Sequence, residues 1–328
     1  MYPFADSMVF LAPQGREPLI RGKLSEGHQL GLAVCTSVAP FVTDKEALLS
    51  AHARFVRVAL TNPGMYQYRC SKEHPNQKTA LVFGLQHLPK RVVAADIHTM
   101  KAAGVDIATL AYKEDTEYGV GCLGCGGLKP AGEEVIRAMA EVNMILDLSH
   151  LNEQTTIEAF RLIERERLGI AVCATHSACR EVFTHPRNIS DVILQLIAKH
   201  NGYVGIPLVN PFLCIKSMHY LRCFVHHVEH AVRILGKERV GIGSDAIYWN
   251  LSEREAERNY NDMASLVNKD DSFRIYFPHY SRIVYEHGLE LGNIVTSTLI
   301  RYLPQQLVEC VCSKNLSAFL ARALPSVA

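Results

Sequence analysis

Apolar and polar positions along the chain follow two alternating rhythms. Short apolar runs cover Val9 to Ala12, Leu30 to Val38, Thr79 to Leu85, Asp106 to Ala111, Met144 to Leu148, Ile170 to Ala174, Tyr203 to Ile206 and Val240 to Gly243. Between them lie longer stretches in which apolar residues recur every three to four positions, the spacing of one helix face. These fall near 44 to 60 and 92 to 103, over Glu133 to Val142, Asn152 to Glu164 and Asp191 to His200, and through Val232, Ile234 and Leu235. Apolar runs without internal alternation are buried on both faces, as in a parallel sheet covered by helices. Strand-like runs alternating with helical segments predict an α/β fold, specifically a (β/α)8 barrel of the TIM type. Residues 289 to 325 read as C-terminal helices packed on the barrel. The only polar, charge-rich insertion is Ser252 to Asn268, after the eighth strand. With no linker and no internal repeat, residues 1–328 are expected to form a single domain.

Composition narrows the functional classes. The chain has 328 residues, 48% of them hydrophobic and 20% charged, enough for a barrel of about 250 residues with insertions. A net charge of +1 gives no whole-molecule field to attract nucleic acid or an anionic membrane surface, so neither is expected as a partner. No apolar run reaches the length of a membrane span, and Met1-Tyr2-Pro3-Phe4-Ala5-Asp6 lacks the basic-then-apolar order of a leader. A cytoplasmic location is the expectation. Ten cysteines scattered over the chain then read as reduced thiols, many of them buried small hydrophobes.

Candidate chemistry gathers at the C-terminal ends of the later strands. Two apolar runs end in Asp147-Leu148-Ser149-His150 and in Ala174-Thr175-His176-Ser177. A single histidine after a strand is more often a satisfied polar residue than a ligand. Two from adjacent parallel strands, at the end where barrels place their chemistry, can hold one divalent metal. Arg187 follows His176 by eleven positions, and its guanidinium suits bidentate capture of a carboxylate or phosphate. Arg239-Val240-Gly241-Ile242-Gly243-Ser244-Asp245 delivers a carboxyl from a third strand end.

These motifs, with Pro186-Arg187-Asn188 and the loop and helix of Gly126-Gly127-Leu128 and Glu134-Val135-Ile136, resemble the membrane (renal) dipeptidases of the metal-dependent amidohydrolase superfamily. The resemblance covers most of residues 5 to 325. It implies a barrel in which two zinc ions share a hydroxide that attacks a dipeptide amide. Carried over motif by motif, it implies that His150 and His176 ligate the second zinc, that Arg187 binds the substrate carboxylate, and that Asp245 accepts and returns a proton. The chain also departs from the family. Met8 and Phe10 stand where the first strand would supply a histidine and an aspartate, Gln86 replaces the bridging glutamate, and Tyr112 replaces a substrate-contacting histidine. A two-metal mechanism needs both ions.

The expectation is therefore a branch with a depleted metal site: one zinc per chain at most, on His150, His176 and either Gln86 or Asp245. A carboxamide is a poor zinc ligand, and the neighbouring His87, the candidate to compensate for it, points to the opposite face if the strand is regular. The function expected is hydrolysis of a dipeptide or other small amide with a free carboxylate, with Asp245 as general base and Arg187 and Tyr112 contacting the substrate. The alternative is a degenerate barrel that binds a small anion without hydrolysis. A homodimer is compatible with the sequence. Two further patterns carry less weight. His226-His227-Val228-Glu229-His230 matches the His-x-x-Glu-His arrangement of some zinc proteases but falls on a helix packed outside the barrel. Cys122-Leu123-Gly124-Cys125 is a lone Cys-x-x-Cys in a glycine-rich loop.

Overall fold

A computed structural model of the chain describes residues 4–11, 30–38, 42–70, 78–214, 219–248, 252, 254, 255, 257, 258, 261 and 290–324. Most of the insertion at Ser252 to Asn268 thus lies outside the described residues. The barrel strands are β1 (Phe4–Phe10), β2 (Leu30–Thr36), β4 (Thr79–Leu85), β5 (Val105–Ala108), β6 (Ile145–Asp147), β7 (Val172–Ala174), β8 (Tyr203–Ile206) and β9 (Val240–Ile242). All pair in parallel and in that order. A short β3 (Met65–Gln67) adds itself to the start of β4. After β9 the chain leaves the ladder for three residues and resumes as β10 (Ala246–Ile247), which pairs with β1 at Val9↔Ala246 and Phe10↔Ile247. Because β9 and β10 are two halves of one interrupted strand, that pairing closes the ring.

Helices α1 (Lys45–Leu60), α2 (Ala94–Ala102), α3 (Pro130–Glu141), α4 (Glu153–Glu166), α5 (Asp191–Lys199), α6 (Asn210–Leu213) and α7 (Tyr220–Leu235) lie between the strands. Their starts follow local chemistry. The side chains of Asn152 and Ser190 accept from Thr155 N and Ile193 N at the starts of α4 and α5, satisfying donors that a helix leaves open. Helix α3 begins at Pro130, three residues before its apolar periodicity, because proline's fixed φ suits the first helical position. The chain ends in α8 (Leu291–Tyr302), α9 (Gln305–Glu309), a π-turn over Cys310–Lys314 and α10 (Asn315–Ala323).

Two apolar layers result. The larger lies between the outward strand faces and the helices, with Leu81, Phe83, Ile136, Phe160 and Phe224 among its members. The smaller fills the barrel interior with Leu32, Val34, Val82, Ile107, Ile145 and Tyr203, and α10 plugs it with Leu316, Phe319 and Leu320. Tyr203 stacks on Phe319 with ring centroids 5.6 Å apart. With one end of the interior sealed by α10, the polar strand tips occupy the other end.

The first strand corrects the sequence reading, which placed it over Val9 to Ala12. It starts at Phe4, and it carries Asp6 and Ser7, both fully buried. Ser7 Oγ lies within hydrogen-bonding distance of Thr175 O (2.6 Å) and Ile242 O (2.8 Å), and Asp6 Oδ1 accepts from Met8 N and Ser244 N. Polar residues that find partners inside the barrel broke the apolar pattern that marks a strand. Close packing at this point also dictates glycine. A Cβ on Gly243 would come within 1.8 Å of Thr175 O, and one on Gly205 within 2.2 Å.

Candidate active site

The tips of β6 and β7 bring His150 and His176 together, with their Nε2 atoms 2.9 Å apart and ring centroids 4.9 Å apart. His150 sits in the left-handed region at φ 74°, where its carbonyl accepts from Cys122 N at 2.7 Å. A non-glycine residue there is strained, and such strain concentrates at functional positions. Asp245, in the gap between β9 and β10, shares the feature at φ 58°, its backbone held by donation from Asp245 N to Met8 O. Tyr112 stacks on the His150 ring at 4.0 Å with a 29° tilt.

Arg187 is the electrostatic hub. It is 6% exposed, its Nη2 donates to His176 O at 3.1 Å, and its Nε is buried without a hydrogen-bond partner among the described residues. Phe212 lies beneath the guanidinium, 5.6 Å from ring centroid to Cζ. Burial, reinforced by the Arg187 cation, holds both His150 and His176 well below the ordinary imidazole range, so both rings are neutral. Burial pushes the Asp245 carboxyl up to about 6, opposed by Arg187 and by the Gln86 amide. Burial likewise raises the Cys122 thiol, again opposed by Arg187. Arg187 thus couples electrostatically to a neutral imidazole pair and to a carboxyl with a pKa of about 6.

Gln86 stands at the end of β4 on the neighbouring side. Its Nε2 donates to Met8 Sδ at 3.0 Å and to Thr36 Oγ1 at 3.1 Å, and the Thr36 hydroxyl donates to Met8 Sδ at 3.0 Å. These three side chains satisfy one another where the resemblance implies ligands for a first metal. His87 is turned away, with Nε2 against Val42 O at 2.7 Å.

The pair His150 and His176 fits a single divalent ion. Zinc with nitrogen ligands at about 2.0–2.1 Å places two of them roughly 3.3 Å apart at a tetrahedral angle, close to the observed separation. Neutral rings are the ligating form. His176 Nδ1 is engaged by Thr175 Oγ1 at 2.8 Å, so Nε2, which faces His150 Nε2, is the nitrogen that an ion between the rings would take. Two ions do not fit as well, since Met8 and Gln86 offer a thioether and an amide nitrogen. Among the described residues, the one trio of His, Cys, Asp or Glu ligand atoms within 4.8 Å of one another is elsewhere, at Glu181, Asp191 and His230. There His230 already uses both ring nitrogens, against Asp191 Oδ1 at 2.6 Å and Arg233 Nη2 at 2.8 Å. That histidine closes the His-x-x-Glu-His pattern, and His227, one turn earlier on the helix, is fully buried between Cys179 N and Leu213 O.

Sequence reasoning assigned no role to Asp147, Thr175 or Asp6. Asp147 is 1% exposed and accepts from Ser149 N (2.9 Å), Thr175 N (3.0 Å) and Thr175 Oγ1. Its signal was present as a carboxylate inside an apolar run, a place where a charge persists only with partners.

Three comparisons bear on this site. The membrane dipeptidase family (peptidase family M19) matches residues 61–265. A dipeptidase of Claviceps purpurea, TcpJ, is 28% identical over 207 residues, which make up 61% of this chain and 44% of that protein. An uncharacterised dipeptidase of Schizosaccharomyces pombe is 30% identical over 154 residues, 43% of this chain and 35% of the relative. The chain thus spans less than half the length of these relatives. A solved amidohydrolase from Pseudomonas aeruginosa superposes with a TM-score of 0.75 at 21% identity, over 98% of this chain and 97% of that one, and shares the fold. By the extent of the family match, the chain belongs to the membrane dipeptidase family, peptidase family M19.

Proposed function

We propose that the chain hydrolyses a dipeptide, or another small amide with a free carboxylate, at the mouth of the barrel with one divalent ion held by His150 and His176. The observation that carries this reading is the convergence of two neutral imidazoles 2.9 Å apart with Arg187, a buried cation whose Nε has no hydrogen-bond partner among the described residues. A divalent ion, when bound, supplies Lewis acidity toward an amide carbonyl and makes water more acidic. The remaining work belongs to the chain. Arg187 holds the substrate carboxylate and fixes the amide relative to the imidazoles. Asp245, with a carboxyl near pH 6, accepts a proton from the attacking water and returns it to the leaving amine. Tyr112, stacked on His150, keeps one face of that ring from water.

The second reading is a barrel that binds a small anion without hydrolysis. The mutual satisfaction of Met8, Thr36 and Gln86 favours it, because nothing at that place calls for a metal. One experiment separates the two: zinc per chain in protein purified without chelator, and turnover of a panel of dipeptides, for the native chain and for His150→Ala with His176→Ala. Hydrolysis that disappears with the metal supports the enzyme. Binding of small carboxylates in both forms, with no turnover in either, supports the binder.

A further inference from the structure

We infer that Asp147 and Thr175 are positioning residues that set the tautomer of His176 and so aim its Nε2 lone pair at the ion. The inference rests on the proposed metal reading for its purpose, though not for its geometry.

Asp147 Oδ1 receives two backbone N–H groups, from Ser149 at 2.9 Å and Thr175 at 3.0 Å. Both are obligate donors. Its Oδ2 faces the Thr175 hydroxyl at 2.5 Å, so the single hydroxyl hydrogen goes to the carboxylate. Thr175 Oγ1 then has only lone pairs left for its other neighbours, Ser149 Oγ at 3.3 Å and His176 Nδ1 at 2.8 Å. The serine can fill the donor role there, since its own oxygen already accepts from His176 N at 3.0 Å. His176 must therefore carry its proton on Nδ1, and Nε2 keeps a lone pair directed at His150. Asp147, Ser149, Thr175 and His176 are each no more than 1% exposed, so water does not compete for these partners. The chain of bonds runs one way, from imidazole to hydroxyl to carboxylate, and its direction is set by the acceptor at the end.

Reversing that acceptor reverses the chain. In Asp147→Asn, the amide oxygen keeps the two backbone donors and the amide NH2 faces Thr175. The Thr175 hydroxyl then accepts from the amide and donates to His176 Nδ1, which drives the imidazole proton to Nε2 and blocks ligation. Thr175→Val removes the link without changing volume and leaves the tautomer unbiased, while Thr175→Ser restores it.

The test has two readouts, both on the full chain. The first is the tautomer of His176 in metal-free protein, read from long-range proton–nitrogen correlations with 15N-histidine labelling. The second is zinc affinity by competition with a chromophoric chelator. Expected are Nδ1–H in the native protein and Thr175→Ser, a mixture in Thr175→Val, and Nε2–H in Asp147→Asn. Zinc affinity should fall about 10–100-fold in Thr175→Val, the usual cost of losing a partner of a metal-bound histidine, and further in Asp147→Asn. Nε2–H in the native protein, or Thr175→Val with unchanged tautomer and affinity, overturns the inference. If Asp147→Asn does not fold, the Val and Ser pair decides. If the native chain binds no zinc yet shows the tautomer pattern, the metal reading fails and the positioning assignment stands.

Discussion

Arg187 and Asp6 show how differently two buried charges are used. Among the described residues the Arg187 Nε has no acceptor, which supports the proposal that it receives a carboxylate. Replacement by lysine keeps the charge and loses the planar fork. Carboxylate binding should weaken by roughly 1.5–3 kcal/mol, measured as the change in Kd for a dipeptide or in KM if turnover is present. Equal affinity in both forms would remove Arg187 from the site. Asp6 has three donors, Met8 N, Ser244 N and Tyr248 Oη, yet burial outweighs them and raises its carboxyl to about 7 from an ordinary value of 3.8. Below pH 4 folded and unfolded chains both hold this proton, and Asp6 makes no demand on stability. As pH rises from 4 to 7 the unfolded chain releases it first, so the native state loses stability, and the loss is complete above 7. Asp6→Asn copies the neutral carboxyl with an NH2 facing Tyr248. It should match the native protein in denaturant unfolding at pH 4 and exceed it by about 2–4 kcal/mol at pH 8.

At the scale of elements, the site depends on how a loop is tied to a helix. Asn152 caps α4 by accepting from Thr155 N at 2.8 Å, and its amide also donates to Gly126 O at 2.9 Å and Gly124 O at 3.2 Å. The same loop sends Cys122 N to the strained carbonyl of His150. Asn152→Ala should lower unfolding stability by about 1–2 kcal/mol through the lost cap. Because the loop is released as well, hydrogen exchange at Cys122 should speed up, which cap loss alone would not cause. Most elements were legible in the sequence because burial on both faces leaves long apolar runs and helices repeat every three to four residues. The strand from Phe4 and the interruption between β9 and β10 were not, since Asp6, Ser7 and Ser244 satisfy much of their polarity against residues far along the chain. In the same way, His150, His176 and Asp245 stood out as polar tips of apolar runs, and Arg187 as a guanidinium in the loop eleven positions beyond His176. The Asp147–Thr175 link did not, because it depends on which neighbour each oxygen faces.

For the whole molecule, the proposed single-ion mouth can be tested by restoring the residues that the family resemblance implies. Met8→His, Phe10→Asp and Gln86→Glu together should raise zinc from at most one to two per chain and increase dipeptide turnover, measured by elemental analysis and product release. A native chain already holding two ions within the barrel mouth would overturn this count. The closure of the ring has a separate consequence for how the protein is made. Asp6 waits for Ser244, 238 residues later, and for Tyr248, 242 residues later. At a ribosome adding about 5–20 residues per second, the outer edge of β1 has no neighbour for roughly ten seconds or more. An open strand edge is a template for pairing with another chain. The final seam is thus the step at which a nascent chain is most exposed to its copies, and the charged Asp6 within it discourages an apolar stranger from taking the place.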